Sequence, residues 1–270
     1  MNDLVITPLG TVSPYTKDNK NCPGFLIEYK NNKYLLDCGN GITRLLNFPD
    51  DLINLKIFIS HLHPDHFGDL TSIFHSLLVY KNLGYISNNI DIYVPNSDTR
   101  KEHVFSDSDR YSKTIIKPSI EYEYIKKFEE TCPITITGYN NINYKNEDLT
   151  IKSLLVPHQI FTYAFRIHTD EGSIVYSADT GTKNKLREFA KDCDLFICES
   201  TFLKGQARLS DNHLYAHEAA MIAKDANVNK LLLTHFWPEI DKNLYLKEAK
   251  EIFENTSVAE EGKKLILRRG

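Results

Sequence analysis

The segment His61-Leu62-His63-Pro64-Asp65-His66 places four potential metal ligands within six residues, directly after Ile57-Phe58-Ile59-Ser60, an apolar run that reads as a strand. Side chains alternate along extended chain, so His61 and His63 project to one side, while Asp65 and His66, adjacent in sequence, diverge and can reach a second ion. The spacing predicts two metals held side by side. So dense a cluster at a strand end argues against an exposed polar turn with incidental histidines. A two-metal site needs about seven or eight protein ligands, and this segment supplies four. Three further candidates each lie just beyond an apolar, strand-like run: His158 after Ile151 to Val156, Asp179 after Ser173 to Ser177, and His235 after Lys230 to Thr234. Strand ends carry sites because the sheet fixes their positions.

The order His61-x-His63-x-Asp65-His66, then His158, then Asp179 within Ser177-Ala178-Asp179-Thr180, then His235 within Thr234-His235-Phe236, resembles the metallo-β-lactamase superfamily over most of the chain. The resemblance implies an αββα sandwich, a four-layer α/β fold of mixed sheets flanked by helices. It also implies that His61, His63 and His158 hold one zinc ion, that Asp65, His66 and His235 hold the other, and that Asp179 bridges them. Imidazoles suit zinc, a carboxylate can bridge two cations, and a water between them can ionise near neutral pH. Manganese is compatible with the same donors. True lactamases of the best-known class have a cysteine ligand near the place of Asp179, and oxygen-reducing diiron members have a glutamate at the place of His63. Both readings are disfavoured.

A second constellation narrows the chemistry. Cys198-Glu199-Ser200-Thr201-Phe202 follows a strand-like run, and Asn212-His213-Leu214-Tyr215-Ala216-His217-Glu218 leads into a helix. The two segments resemble the paired motifs of the ribonuclease Z branch, with Cys198 standing where that branch usually has histidine. The resemblance makes Glu199 the residue that orients and polarises His213. Hydrolysis of a phosphodiester expels an alkoxide, a poor leaving group, and a histidinium opposite the attacking oxygen can protonate it. Asp65 is then both ligand and water-orienting base, and Asp65, Glu199 and His213 form the catalytic set.

The chain has 270 residues, 41% hydrophobic and 25% charged, enough for one hydrolase domain spanning 1–270. Five cysteines, Cys22, Cys38, Cys132, Cys193 and Cys198, include no CxxC pair. An odd number without such a pair suggests neither a disulfide framework nor a zinc ribbon, and makes the cytoplasm the expected compartment. No basic stretch followed by an apolar core opens the chain, and no segment approaches the roughly 20 apolar residues of a membrane helix. No membrane partner is expected.

Val5 to Leu9, Gly24 to Tyr29 and Lys33 to Asp37 read as an opening meander, with Lys30-Asn31-Asn32 as a hairpin turn. Gly39-Asn40-Gly41 breaks the chain before a short helix near Ile42 to Asn47. Phe67 to Tyr80 has apolar residues at helical spacing, with Leu70, Ile73, Phe74, Leu77 and Leu78 in one stripe. Further helices are expected near Lys183 to Lys191, Ala216 to Ala226 and Leu244 to Asn255. Residues 97–131, with Asp107-Ser108-Asp109-Arg110-Tyr111-Ser112 at their centre, are the least regular and read as an insertion that shapes the pocket. The loop from Gly10-Thr11-Val12-Ser13-Pro14 to Asn21-Cys22-Pro23 reads as an ordinary hairpin loop rather than a substrate contact.

Charge bears on the substrate. The net charge is −4, from 32 basic and 36 acidic residues, whereas gripping a folded RNA through its phosphates calls for a basic face. Lys263-Lys264 and Arg268-Arg269 cluster near the carboxyl end, where a short basic tail is usually a solvated terminus. Relatives that process transfer RNA use a projecting arm rich in glycine and proline, and 97–131 has little of either. A small phosphodiester such as a cyclic nucleotide therefore ranks slightly above the RNA 3′ end of a transfer-RNA precursor. Lactonases of similar pattern carry a tyrosine shortly after the bridging aspartate, and Thr180 to Leu186 contains none, which lowers lactone or thioester hydrolysis. Proteins of this kind commonly form a homodimer, which could complete each pocket; no residue of the chain demonstrates it.

Overall fold

The computed structural model describes residues 3–105, 110–183, 185–208 and 211–268, with 97–105 and 110–118 described by their backbone course. In chain order the strands are β1 (Leu4–Gly10), β2 (Gly24–Tyr29), β3 (Asn32–Leu36), β4 (Leu55–Phe58), β5 (Ile90–Pro95), β6 (Ser97–Phe105), β7 (Arg110–Pro118), β8 (Ile134–Tyr139), β9 (Asn143–Lys145), β10 (Leu149–Val156), β11 (Thr162–Thr169), β12 (Gly172–Tyr176), β13 (Leu195–Glu199), β14 (Lys230–Thr234), β15 (Thr256–Val258) and β16 (Leu265–Leu267). The α-helices are α1 (Pro64–Phe67), α2 (Leu70–Asn82), α3 (Ile120–Lys126), α4 (Leu186–Phe189), α5 (Ala216–Asp225) and α6 (Lys242–Lys250).

Two seven-stranded mixed sheets face each other, in the orders β16-β1-β2-β3-β4-β5-β8 and β15-β14-β13-β12-β11-β10-β9. Each begins with antiparallel pairing and continues as a parallel run, β3-β4-β5-β8 in the first and β12-β13-β14-β15 in the second. Parallel strands need coverage on both faces, and their sequences here are correspondingly continuous in apolar residues. Between the sheets lie Phe25, Ile27, Tyr34 and Phe58 from one side and Ile151, Phe165, Ile174, Tyr176 and Ile197 from the other. The outer face of the first sheet is covered by the stripe Leu70, Ile73, Phe74 and Leu77 of α2 and by Ile125 of α3. The outer face of the second is covered by Leu186 of α4, by Ala219, Ala220 and Ala223 of α5, and by Tyr245 and Ala249 of α6. The architecture is the expected αββα sandwich.

Several boundaries differ from expectation for local reasons. The helix read from Phe67 starts at Leu70, because Gly68 and Asp69 separate it from the short α1. A side chain at Gly68 would sit 2.0 Å from Oδ1 of Asn40, so the chain bends there against the loop that follows β3. Leu78 is half-buried rather than buried, at the margin of the stripe. Helix α6 starts earlier and ends earlier than its apolar residues suggest: Asp241 caps it by accepting from the Asn243 backbone, and the chain after Lys250 turns toward β15. Residues 97–105 and 110–118 are more regular than their composition suggests. Strands β6 and β7 pair antiparallel from Ser97↔Pro118 to Phe105↔Arg110 as a two-stranded ribbon separate from both sheets; Asp107, Ser108 and Asp109 lie outside the described residues. The basic tail is occupied by ion pairs, Lys264 with Glu28 and Arg268 with Asp3, and Arg269 lies outside the described residues. All five cysteines are buried free thiols. Among the described residues no helix is long and apolar enough to cross a membrane.

Candidate metal centre

Strands β3 and β4 of one sheet and β10, β12, β13 and β14 of the other all end at the same edge of the sandwich, because the strands within each set run in one direction. Asp37 follows β3, His61 lies three residues past β4, His158 two past β10, Asp179 three past β12, Glu199 ends β13 and His235 follows β14. Asp37, Ala178 and His235 take left-handed backbone conformations, with φ of 58°, 50° and 65°. Such a conformation costs a non-glycine residue on the order of 1–3 kcal/mol and persists only where its surroundings enforce it. Here it turns the chain sharply off three strand ends and toward one another. The sheets are tied at this edge by the Val12↔Phe236 bridge, by Ser13 N to Phe236 O at 2.9 Å, and by Tyr163 N to Ser60 O at 3.0 Å.

All seven residues expected as ligands converge. His61, His63, His158 and Asp179 form one cluster of ligand atoms and Asp65, His66 and His235 another. In the first, Nδ1 of His63 lies 3.1 Å from Nε2 of both His61 and His158, and Oδ2 of Asp179 lies 3.6 and 3.8 Å from those two nitrogens. In the second, Nε2 of His66 is 3.4 Å from Nε2 of His235 and 3.7 Å from Oδ2 of Asp65. The other Asp179 oxygen, Oδ1, faces this cluster at 3.0 Å from His235 and 3.2 Å from His66. Four ligands bound tetrahedrally at about 2.0–2.1 Å sit about 3.3 Å apart, and the observed separations bracket that edge.

Outward hydrogen bonds explain why these nitrogens face one another. Nδ1 of His158 lies 3.1 Å from the Asn212 carbonyl, and Nδ1 of His66 lies 2.7 Å from the Asp37 carboxylate. Both partners only accept, so each Nδ1 carries a proton and donates it, which aims the other ring nitrogen inward. Nδ1 of His61 meets the Ser60 hydroxyl at 3.0 Å, and Nδ1 of His235 meets that of Thr201 at 2.8 Å. Burial holds His61 and His63 below the ordinary imidazole range and brings His158 down to about 4. A neutral His63 can donate from Nδ1 to at most one of the two nitrogens facing it, so at least one of these 3.1 Å contacts sets lone pair against lone pair. Burial also opposes charge on His66, but the carboxylates of Asp179, Asp65 and Asp37 outweigh it and hold His66 well above its usual value. Burial would raise Asp179, yet His235 and His66 hold it well below the carboxylate range, and its buried Oδ1 receives no hydrogen bond of good geometry. Converging lone pairs around an unanswered carboxylate oxygen are what a cation would resolve, and the His/Asp cluster can bind metal ions.

Glu199 and His213 stand beside this cluster. Nδ1 of His213 lies 2.9 Å from Oε1 of Glu199, and its ring stacks on His235 with centroids 5.4 Å apart. Glu199 is buried and also accepts from the backbones of Thr180, Thr201 and Leu214 and from the Thr201 hydroxyl. Burial works against a charged His213, but the Glu199 carboxylate overrides it and raises the ring to about 9. His213 lies three residues ahead of α5, in a loop that packs closely on the Asp179 loop: a side chain at Gly181 would meet the Asp211 carbonyl at 1.9 Å.

Three contributors escaped the reading of the sequence. The buried Asp37 accepts from the Ser60 backbone and hydroxyl, from Tyr176 OH at 2.7 Å and from His66. Its signal was an acid closing an otherwise apolar strand, a place where a charge survives only with donors around it. Thr201 sits within a quoted motif, but its hydroxyl carried no evident task. Ser13 donates to Oδ2 of Asp65 at 2.8 Å, so the amino-terminal loop does reach the site, contrary to its reading as an ordinary hairpin loop.

Two facing mixed sheets with a histidine and aspartate centre at their shared edge define a metal-dependent hydrolase. The chain belongs to the beta-lactamase superfamily, whose domain model matches residues 32–236. It is 27% identical over 254 residues to a Bacillus subtilis protein named "Probable metallo-hydrolase YhfI", covering 93% of this chain and 94% of that one. It is also 27% identical over 296 residues to ribonuclease Z of Archaeoglobus fulgidus, covering 95% of each. The crystal structure of YhfI matches the fold with a TM-score of 0.81 at 24% identity, over 98% of this chain and 100% of that one. Human tRNase Z, short form, matches at 0.72 and 18% identity, with the same coverage.

Proposed function

We propose that the protein is a two-metal phosphodiesterase acting on a small diester of the cyclic nucleotide kind. In this reading His61, His63 and His158 would hold one zinc ion, Asp65, His66 and His235 would hold the second, Asp179 would serve both, and manganese would fit the same donors. Bound there, the ions would supply Lewis acidity, acidifying water and neutralising phosphoryl charge. Asp65, kept in place by the Ser13 hydroxyl, orients the attacking water and accepts its proton. His213 is the proton donor in this reading: the Glu199 carboxylate, 2.9 Å from its Nδ1, favours the charged ring. Nδ1 stays on Glu199, so Nε2 is the nitrogen that gives its proton to the departing alkoxide.

The observation that carries this reading is the His213 and Glu199 pair set against the ligand clusters, with Nδ1 of His213 4.0 Å from Oδ2 of Asp179. A charged histidine so close to the reacting centre answers the need of a poor leaving group, which an activated lactone lacks. Net charge of −4 supports a small substrate over a folded polyanion. The test is turnover of metal-loaded protein on a panel of cyclic nucleotides.

Cleavage at the 3′ end of a transfer-RNA precursor is the second reading. It is supported by the ribbon β6-β7, which stands apart from both sheets, and by relatives named ribonuclease Z that match over at least 93% of each chain. A precursor transfer RNA belongs in the same assay.

A further inference from the structure

We infer that Thr201 is a positioning residue that couples His235 to the Glu199 and His213 pair through a single hydroxyl proton. The inference deepens the two-metal reading and rests on it. The Thr201 Oγ1 is buried and lies 2.8 Å from Oε2 of Glu199, 2.8 Å from Nδ1 of His235 and 3.4 Å from Nδ1 of His213. A hydroxyl has one proton to give and lone pairs to receive. The Glu199 carboxylate only accepts. If the proton pointed at His235, a hydroxyl lone pair would face a buried carboxylate oxygen at hydrogen-bond distance, an uncompensated repulsion in a dry site. The proton therefore goes to Glu199, and Nδ1 of His235 must be the donor to Thr201.

Two consequences follow from that one direction. With its proton on Nδ1, His235 presents an unprotonated Nε2 to Asp179 and His66, which is the form a metal ligand needs. On the other side, the hydroxyl joins the Thr201 and Leu214 backbones in occupying Oε2, which leaves Oε1 turned to His213. Loss of the hydroxyl frees His235 to place its proton on Nε2 and removes one of the three donors on Oε2 of Glu199, so one substitution touches both the second ligand cluster and the carboxylate that holds His213.

The test compares wild type, Thr201→Val and Thr201→Ser, each loaded with two equivalents of zinc and challenged with a chelator. In Thr201→Val, which keeps the volume and removes the hydroxyl, one ion is expected to dissociate about 10–100 times more readily while the other is unchanged. Thr201→Ser is expected to restore wild-type release, which a purely steric role for threonine would not allow. A Thr201→Val protein that holds both ions as tightly as wild type overturns the inference; a wild type that takes up no zinc overturns the metal reading beneath it. Should the valine variant fail to fold, the ring-nitrogen spectrum of zinc-loaded wild type decides. A slowly exchanging Nδ1 proton on His235 supports donation to a buried hydroxyl, and one that exchanges as freely as an exposed imidazole proton overturns it.

Discussion

Replacing Glu199 with glutamine removes the charge that keeps His213 protonated while preserving the side-chain shape. In the metal-free protein His213 is raised from 6.5 to about 9, against the opposing effect of burial. A group whose folded pKa is raised stabilises the fold fully below its unfolded pKa and loses that contribution as pH climbs through the folded value. The window is therefore pH 6.5 to 9. The shift of about 2.5 pH units corresponds to roughly 3 kcal/mol at about 1.4 kcal/mol per unit, shared by the pair as a whole. Urea denaturation with chelator present, at pH 6 and again at pH 10, should show wild type losing about 3 kcal/mol more than Glu199→Gln across that interval. The depressed carboxylate of Glu199 adds nothing to the difference, because its own stabilisation is already complete above about pH 4.5. Parallel losses in the two proteins would show that no buried ion pair exists between Glu199 and His213, and would remove the basis for a protonated acid at neutral pH.

The other substitutions separate ligands from proton donors. His213→Ala should retain both metals yet lose phosphodiesterase turnover by about two to four orders of magnitude; unchanged turnover removes His213 from the mechanism. Asp179→Ala should release at least one ion by elemental analysis, and two tightly held ions in that variant would count against the bridge. Asp37→Asn should weaken retention of metal about 10–100-fold against a chelator, because an amide answers His66, Tyr176 and Ser60 poorly; retention equal to wild type would reduce Asp37 to a packing role.

Much of this arrangement was legible in the sequence, and the limits were physical. The residues of the two clusters could be read because their segments follow apolar runs, and strand β2 could be bounded at Gly24 and Tyr29 by its flanking turns. Alternation grouped His61 with His63 and set Asp65 and His66 apart, and the structure places these side chains in two corresponding clusters. The loop of Ser13 was misread because its task is long-range: the hydroxyl meets an aspartate 52 residues away, and no local pattern encodes that. Asp37 was read as the end of a strand for the same reason, since its meaning lies in Ser60, His66 and Tyr176. The ribbon of β6 and β7 was missed because their many charged residues show no clean alternation with apolar ones, the signal by which a half-buried strand is recognised.

The most direct test of the central claim is turnover by zinc-loaded protein of a cyclic nucleotide panel beside a precursor transfer RNA, with His213→Ala in parallel. Hydrolysis of a cyclic nucleotide to its monophosphate, lost in the variant though its metals remain, is the predicted result. No cleavage of any phosphodiester by protein carrying its full complement of metal would contradict it, and cleavage of the RNA 3′ end alone would transfer the same chemistry to the larger substrate.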